Sequence, residues 1–194
     1  QIIEKTFVHK QGEMLDGTPL LGKPFLLQDW QKFIVYNLLG FYHRGTKIRR
    51  FKEAFIYIPR KNGKTSFIAA LAWALALLER QSGSKIYITS AALQQSLQSF
   101  EFILFNLRQM GEEQNFRILN NNQEHSISAE IGDGSIYIRA LAANPDKQDS
   151  LNCNIGIADE IHAYKTPKHD NIIKEAMKAY TNNLMIGITT ADDD

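Results

Sequence analysis

Apolar residues along the chain alternate between strand-like runs and helix-like spacings. Short apolar runs at 54–58, 85–89, 154–158 and 184–189 predict buried strands. Apolar residues at helical spacing predict helices over 27–41, from 64 up to Gly83, and over 93–107. Thr166 as an N-cap, with Pro167 in the first turn, predicts another helix to about residue 180. Segments 127–131 and 135–139 alternate around the turn 132–134 and predict a β-hairpin, whereas the first 24 residues are mixed and turn-rich.

This alternation of strands and helices predicts an α/β fold with a mostly parallel central sheet. Helices are expected on both faces, and the β-hairpin is expected as an insertion. No repeat, low-complexity block or linker divides the chain, so residues 1–194 are predicted to form one domain. The helix after the first strand is predicted to present a single apolar face, made of Phe67, Ile68, Leu71, Ala72, Leu75 and Leu78. Ligands bind at the carboxyl ends of strands in such sheets, and the candidate motifs fall there.

The loop after the first strand, at residues 59–65, has the features of a phosphate-binding loop. Gly63 lets the backbone approach a phosphate closely, and the N–H groups that open the next helix face the anion. Lys64 supplies a mobile cation for the outer phosphates, and the Thr65 hydroxyl can bind magnesium. The full P-loop pattern has a further glycine where this chain has Ile58. A chance Gly-Lys-Thr is the alternative, which the position between a buried strand and a helix disfavours.

Two adjacent carboxylates, Asp159 and Glu160, follow the third of the predicted apolar strands. One can hold magnesium, directly or through water, and the other can orient and deprotonate an attacking water. The alternative is a solvated acidic pair at a strand end. The phosphate-binding loop upstream favours the nucleotide-binding interpretation.

Two further positions are candidates for contacts with a nucleotide. Thr189, together with Thr190, ends the last apolar strand, and a hydroxyl there can sense a terminal phosphate. A solvated strand end is the alternative. The carboxamide of Gln31 can form paired hydrogen bonds with the edge of adenine. Its neighbour Trp30 is predicted to serve in helix packing. The sequence leaves the role of Gln31 open.

Composition restricts the class of function only moderately. The formal net charge is +1, so any contact with DNA must come from a local patch. One such stretch, residues 44–64, has eight basic residues against the single acid Glu53: Arg44, Lys47, Arg49, Arg50, Lys52, Arg60, Lys61 and Lys64. The single Cys153 excludes an intrachain disulfide and is predicted to be a small buried apolar residue. The longest apolar stretch, 67–78, is too short to span a membrane.

Taken together, these motifs resemble the large terminase subunit of tailed phages, in the branch whose P-loop reads Arg-Lys-Asn-Gly-Lys-Ser/Thr. The resemblance is carried by residues 24–31, 49–51, 59–65, 91–98, 159–163 and 189–191, which follow in order over nearly the whole chain. The P-loop variant and the acidic segment are its most specific parts. Asp192 departs from the pattern, in which glycine follows Thr-Thr-Ala.

The resemblance implies an ATPase of the additional-strand P-loop type that uses ATP and Mg²⁺. It implies nucleotide contacts from Gln31, Arg60, Lys61, Asn62, Gly63, Lys64, Thr65, Ser66 and Thr189. Thr65 and Asp159 are then the magnesium ligands, and Glu160 is the catalytic base. Lys64 and Arg60 assist catalysis, with Arg60 as an arginine finger in cis. Arg139 and Arg108 are candidates for a finger supplied in trans, or are solvated surface residues.

The resemblance also implies partners and a place of action. These are double-stranded DNA, the small terminase subunit, the portal protein and further copies of the chain in a ring on the portal, with no membrane. The expected location is the host cytoplasm and, transiently, the procapsid portal. Family members continue into a ribonuclease-H-like nuclease, so the chain, which stops at Asp194, is interpreted as a fragment.

Two other interpretations remain open. The segment Asp159-Glu160-Ile161-His162 also fits the Asp-Glu-x-His box of superfamily 2 nucleic-acid helicases, although the loop at 59–65 lacks the glycines usual in that class. The second alternative is a nucleotide-binding protein without catalytic activity. The presence of Lys64 together with both carboxylates disfavours it.

Overall fold

A seven-stranded, mostly parallel β-sheet forms the centre of the protein. The structure, a computed structural model, describes residues 1–143, 152–161, 174–175, 177–178 and 180–190. The strands are β1 (Glu53–Ile58), β2 (Ser84–Ser90), β3 (Arg117–Asn120), β4 (His125–Ile131), β5 (Gly134–Ala142), β6 (Ile155–Asp159) and β7 (Leu184–Thr190). Their spatial order is β1-β7-β6-β2-β5-β4-β3. The pairs from β1 to β5 are parallel, and β4 and β3 continue the sheet as antiparallel strands.

The four strands predicted from apolar runs are confirmed as β1, β2, β6 and β7. Strand β7 lies between β1 and β6, so the ends of the P-loop strand and the acidic strand both adjoin it. The predicted hairpin is confirmed as β4 and β5, with Ile131 paired to Gly134 across a two-residue loop. Because β5 also pairs with β2, the hairpin continues the central sheet. Strand β3 was not expected from the sequence.

Four helices accompany the sheet in the described part of the chain: α1 (Ile2–Thr6), α2 (Asp29–Gly40), α3 (Lys64–Leu78) and α4 (Leu93–Gln109). Helices α3 and α4 pack together and share one core with the isoleucines of the sheet. On the other face, Tyr87, Cys153, Ala158, Met177 and Met185 form a second cluster. Most of the helix predicted from Thr166, and the positions of His162 and Asp192, fall outside the described residues.

The prediction of a single apolar face for α3 is wrong. Every residue from Phe67 to Ala76 is buried, whereas Leu78, assigned to the apolar face, is half exposed. The helix packs on β2 and β5, beside α4 and against α1, so it meets protein on several sides. It ends at Leu78, and a short 3₁₀ turn follows before Gly83, which has a φ of +71°.

The N-terminal segment, residues 1–28, is attached to α3 and α4 by aromatic and hydrogen-bond contacts. The ring of Phe7 packs against Trp73 of α3 and Phe102 of α4, with centroids 6.3 and 5.7 Å away. The buried Asn106 side chain accepts a hydrogen bond from the Val8 N–H at 2.7 Å and donates to the Val8 carbonyl. A segment without predicted regular structure therefore contributes to the core, because its contacts lie far away in sequence.

Cys153 is fully buried in the second cluster, as predicted. Burial raises the pKa of its thiol to about 12, so the thiolate is not populated at neutral pH. Among the helices that the structure describes, none is long and apolar enough to cross a membrane.

Candidate functional site

The loop between β1 and α3 has the backbone conformation needed to surround an anion. Gly63 has a φ of +70° and lies directly before the first residue of α3. Lys61 also adopts a left-handed conformation, with a φ of 65°. The Asn62 amide donates to the carbonyls of Pro59 and Arg60 at 3.1 and 3.2 Å, which holds the loop closed. The free N–H groups at the start of α3 therefore face the space above Gly63.

The acidic pair lies opposite this loop, as the sequence predicts. The Lys64 ammonium is 2.8 Å from Asp159 Oδ1 and also donates to Glu160 Oε1. Asp159 ends β6 and is buried, with 3% of its surface exposed. Glu160 has a φ of 52°, a strained conformation for a side chain of this size. This backbone turn directs the Glu160 carboxylate toward the start of α3.

Thr190, rather than the predicted Thr189, meets the acidic pair. Its hydroxyl donates to the Glu160 carboxylate at 3.2 Å, and its backbone N–H lies 3.4 Å from the same carboxylate. Thr189 is buried, with 1% exposed. Because side chains alternate along a strand, neighbouring threonines on β7 point to opposite faces of the sheet. Thr190 therefore contacts the acidic pair, and the contact of Thr189 with a terminal phosphate stays a prediction.

A cavity of about 520 Å³ opens between the loop and the acidic pair. It is lined by Gln11, Arg60, Lys61, Gly63, Lys64, Thr65, Ser66, Gln95, Glu160 and Thr190. Three cations face one carboxylate in this lining, so the cavity is suited to a polyanion. Asn62 does not line it but shapes the loop.

Magnesium fits the donor set at this cavity. The Thr65 hydroxyl, Asp159 and Glu160 offer oxygen atoms, which Mg²⁺ prefers. The Lys64 ammonium contacts both carboxylates, which therefore lie close together. Among the described residues, no group of three or more His, Cys, Asp or Glu side chains could hold a metal. The candidate ligands are therefore two carboxylates and one hydroxyl, and Mg²⁺ commonly completes its coordination with water and phosphate oxygens.

Gln31, predicted to read adenine, does not line the cavity. It is buried at the start of α2, where its side-chain oxygen accepts the Gln28 backbone N–H at 2.9 Å in a capping box. The ring of Trp30 packs edge-on against Phe67 of α3 at 5.4 Å, which agrees with its predicted packing role. Gln31 therefore caps the start of α2, and Trp30 packs α2 against α3.

The predicted basic stretch divides into a buried part and an exposed part. Arg49 is 1% exposed and forms an ion pair with Glu79, so it is not available to DNA. The remaining members that do not line the cavity are all exposed: Arg44, Lys47, Arg50 and Lys52. The surface charge available to nucleic acid is therefore smaller than the sequence suggests.

Neither candidate for a trans arginine lines the cavity. Arg108 pairs with Glu113 at 2.9 Å near the end of α4. Arg139 is half-buried in β5, near Tyr87 and Tyr137. A role for either toward a neighbouring copy of the chain stays a prediction.

Two residues of the cavity lining were missed by sequence reasoning: Gln11 and Gln95. Gln95 lies in the glutamine-containing start of α4, within the stretch that carried the family resemblance. Gln11 lies in the turn-rich N-terminal segment, and no motif marks it. Only the tertiary contact between that segment and α4 brings it to the cavity.

Comparison with known proteins identifies a matching family. A family model described as the terminase large subunit, ATPase domain, matches residues 29–194. A search of curated proteins gives no match.

Solved structures show the same fold at low sequence identity. The HK97 bacteriophage large terminase has a TM-score of 0.75 and 20% identity, over 97% of this chain and 36% of that chain. The ATPase domain of the Thermus phage P74-26 large terminase has a TM-score of 0.56 and 16% identity, over 87% and 72%. A large terminase from a thermophilic bacteriophage, in complex with ATP-gamma-S, has a TM-score of 0.55 and 9% identity, over 81% and 37%.

The chain thus spans about a third of the length of the HK97 protein. The family match covers most residues of this chain. The α/β fold agrees with that match, and so does the contact between the P-loop and the acidic segment. The chain therefore belongs to the family of terminase large subunit ATPase domains.

Proposed function

We propose that this protein hydrolyses ATP and uses the energy to move double-stranded DNA into a viral procapsid. The observation that carries the proposal is the contact of the Lys64 ammonium with both Asp159 and Glu160. It means that the loop that binds phosphate and the carboxylates that activate water face one another across a single cavity. One of the related structures holds ATP-gamma-S, which supports nucleotide as the ligand.

The loop and the start of α3 are suited to hold the phosphates. Backbone N–H groups from Gly63 onward and the positive end of α3 face the anion. Lys64 supplies a charge for the outer phosphates, and its present carboxylate partners hold it in place. Arg60 and Lys61 line the same cavity and add positive charge, and Arg60 is the proposed arginine finger in cis.

Glu160 is the proposed base. Its carboxylate accepts a proton from the attacking water as that water's oxygen bonds to the terminal phosphorus, while the bond to the bridging oxygen of ADP breaks. The Thr190 hydroxyl holds the carboxylate in position. Thr65 and Asp159 would hold a magnesium ion, which would supply positive charge to the phosphate oxygens. Lys64 contributes to the same stabilisation.

DNA translocation is the finer part of the proposal. The exposed cations Arg44, Lys47, Arg50 and Lys52 are suited to phosphate backbone rather than to base reading. The proposed assembly is a ring of this chain on the portal protein, together with the small terminase subunit, in the host cytoplasm. Binding that weakens steeply with salt but does not depend on sequence is the expected signature.

Phosphate release from ATP tests the proposal. Lys64→Ala should lower turnover by about 10²–10³-fold or more, because a preorganised cation at the reacting phosphate is lost. Lys32→Ala, at an exposed lysine of α2, is the matched control and should leave turnover unchanged. A wild-type protein that binds ATP without releasing phosphate would support the non-catalytic alternative. Unwinding of a short duplex would support the helicase alternative instead.

A further inference from the structure

The first turn of α4 lies beside the acidic pair. Strands β2 and β6 are parallel neighbours, and Ser90, the last residue of β2, is paired with Asp159. Helix α4 begins at Leu93, so only two residues separate it from the end of β2. The start of α4 is therefore on the side of the phosphate cavity where Asp159 and Glu160 lie. Gln95, in this first turn, lines the cavity.

Hydrogen bonds fix this turn against both β2 and the helix that follows the P-loop. The buried Ser90 side chain accepts the Ser96 N–H at 3.0 Å. The Ser99 hydroxyl donates to the Thr65 carbonyl at 3.3 Å, which joins α4 to the first turn of α3. The Gln95 backbone is therefore held in place relative to the residues that would bind phosphate. A side chain on such a backbone is preorganised, so its contact with a ligand costs little ordering entropy.

The carboxamide of Gln95 has an unmet capacity for hydrogen bonding. Within the part of the chain that the structure describes, its Oε1 atom is buried and has no hydrogen-bond partner. Buried polar atoms are nearly always paired, so such an oxygen at the wall of a ligand cavity indicates a contact with the ligand. When the carboxamide turns into the cavity, this oxygen gains a partner and gives up no hydrogen bond. Gln94, the preceding residue, is exposed to solvent instead.

The attacking water needs a second contact besides Glu160. A carboxylate takes the proton of one O–H bond, but it leaves the direction of the second O–H bond unfixed. A carboxamide both accepts and donates, so it can accept the second hydrogen of the water and donate to an oxygen of the terminal phosphate. Glutamine has this task in GTPases, where it orients the attacking water.

The other polar groups of the lining are less suited to this task. The three cations of the lining carry only donors, so they bind phosphate oxygens but cannot accept a hydrogen from water. The Thr190 hydroxyl already donates to the Glu160 carboxylate at 3.2 Å. Gln11 has the second carboxamide of the lining, but it lies in the N-terminal segment, and no strand end places it beside the acidic pair.

We infer that Gln95 is a further catalytic residue, whose carboxamide orients the attacking water against Glu160. The inference rests on the proposed ATPase function and deepens it. In the reaction step, the water oxygen bonds to the terminal phosphorus, the bond to the bridging oxygen of ADP breaks, and the released proton goes to Glu160. Gln95 gains and loses no proton, because its task is to fix the position of the water.

Steady-state phosphate release by the whole protein, measured over a range of ATP concentrations with magnesium, tests this inference. Gln95→Ala should lower kcat by about 10²-fold, the effect of a misplaced reacting group, whereas KM should change by less than about threefold. Gln94→Ala, at the exposed neighbour in the same turn, is the matched control and should keep the wild-type kcat.

Affinities for two nucleotide states separate a catalytic role from a structural one. The probes are ADP with magnesium, and the same mixture with aluminium fluoride, which mimics the phosphoryl group during transfer. Gln95→Ala should weaken binding of the aluminium fluoride complex by about tenfold or more and leave ADP affinity unchanged. The reason is that the lost contact is made in the transition state and not with ADP.

These measurements distinguish failure of the inference from failure of the proposed function. A wild-type kcat in Gln95→Ala would overturn the inference. An equal loss of affinity for both probes, or a lowered unfolding midpoint that accounts for the lost rate, would also overturn it. In each of these cases Lys64→Ala should still lower phosphate release, so the proposed function stands. If the wild-type protein releases no phosphate, the proposed function fails, and the inference fails with it.

Discussion

Lys64 and Arg49 are both cations withdrawn from solvent and paired with carboxylates, but they lie in different settings. The Lys64 side chain is 12% exposed, faces a cavity and meets two acids at the carboxyl ends of strands. The Arg49 side chain is 1% exposed and meets Glu79 just beyond the end of α3. The contact alone therefore does not identify a functional site. The cavity, the contact of one cation with two acids and the strained Glu160 backbone do.

The partners of each cation show the same difference. The Lys64 ammonium contacts two acids and lines a cavity that a ligand can enter. Within the described part of the chain, Arg49 Nε and Nη1 have no hydrogen-bond partner although they are buried. Such a group stabilises the fold only through its single ion pair, and removal of that pair should be felt in stability.

The largest expected effect is on catalysis. Glu160→Gln should lower phosphate release by about 10²–10⁴-fold, because the amide cannot accept the proton of the attacking water. ATP affinity and the unfolding midpoint should stay near wild type, since Lys64 keeps Asp159 as a partner. Phosphate release and ATP binding, both measured on one sample of the variant, check this. If the variant releases phosphate as fast as the wild type, Glu160 is not the base.

The second effect is on stability. Arg49→Met should lower the free energy of unfolding by about 3 kcal/mol, because Glu79 is left without its cation in a poorly solvated place. The turnover per folded molecule should not change. Denaturant unfolding combined with an activity assay measures both quantities.

A double variant sharpens this prediction. Arg49→Met combined with Glu79→Leu removes the stranded charge, so it should recover most of the lost stability. If the double variant is as unstable as Arg49→Met, packing rather than the charge explains the loss. If Arg49→Met is as stable as wild type, the contrast drawn between the two cations is wrong.

A carboxylate held by hydroxyls gives an intermediate case. Glu124 accepts hydrogen bonds from Tyr137 at 2.6 Å and Ser126 at 2.7 Å. The Tyr137 bond is the main cause that lowers the pKa of Glu124, so its stabilisation is present above the unfolded-state pKa and is lost as pH falls through the folded-state pKa. Tyr137→Phe should cost about 1–2 kcal/mol at neutral pH. The difference in the free energy of unfolding between the variant and the wild type should shrink as the pH falls. Unfolding curves from pH 7 to 3 test this, and a difference that stays constant would contradict it.

The smallest effect is expected at an exposed pair. Arg108 and Glu113 are 2.9 Å apart, but their side chains are 58% and 41% exposed. Arg108→Ala should therefore change the unfolding free energy by less than about 1 kcal/mol. A larger loss of unfolding free energy in the same denaturant assay would show that exposure does not indicate how much an ion pair contributes to stability.

The strands and the loop that forms the site were predictable because their signals are local. A buried strand, a Gly-Lys-Thr and an apolar helix follow one another within 54–78, and the acidic strand ends in two carboxylates. The burial of α3 on more than one face was not predictable, because the N-terminal segment and α4, which are distant in sequence, pack against it. The place of Gln11 in the lining of the phosphate cavity had no local signal for the same reason.

The choice between Thr189 and Thr190 shows a different limit. Both residues fit a polar strand end, and the two faces of a strand differ by a one-residue shift. The sequence places the threonines correctly at the carboxyl end of β7 but cannot say which one meets Glu160. The pairing of β7 with β1 and β6 fixes that choice.

The central claim is that Lys64 and the acidic pair serve one triphosphate. A structure of the protein with magnesium and a non-hydrolysable ATP analogue measures this directly. The account predicts a terminal phosphate oxygen at about 3 Å from the Lys64 ammonium, with a water molecule between the phosphorus and the Glu160 carboxylate. A triphosphate bound away from the loop at 59–65, or a terminal phosphate that points away from Glu160, would contradict it.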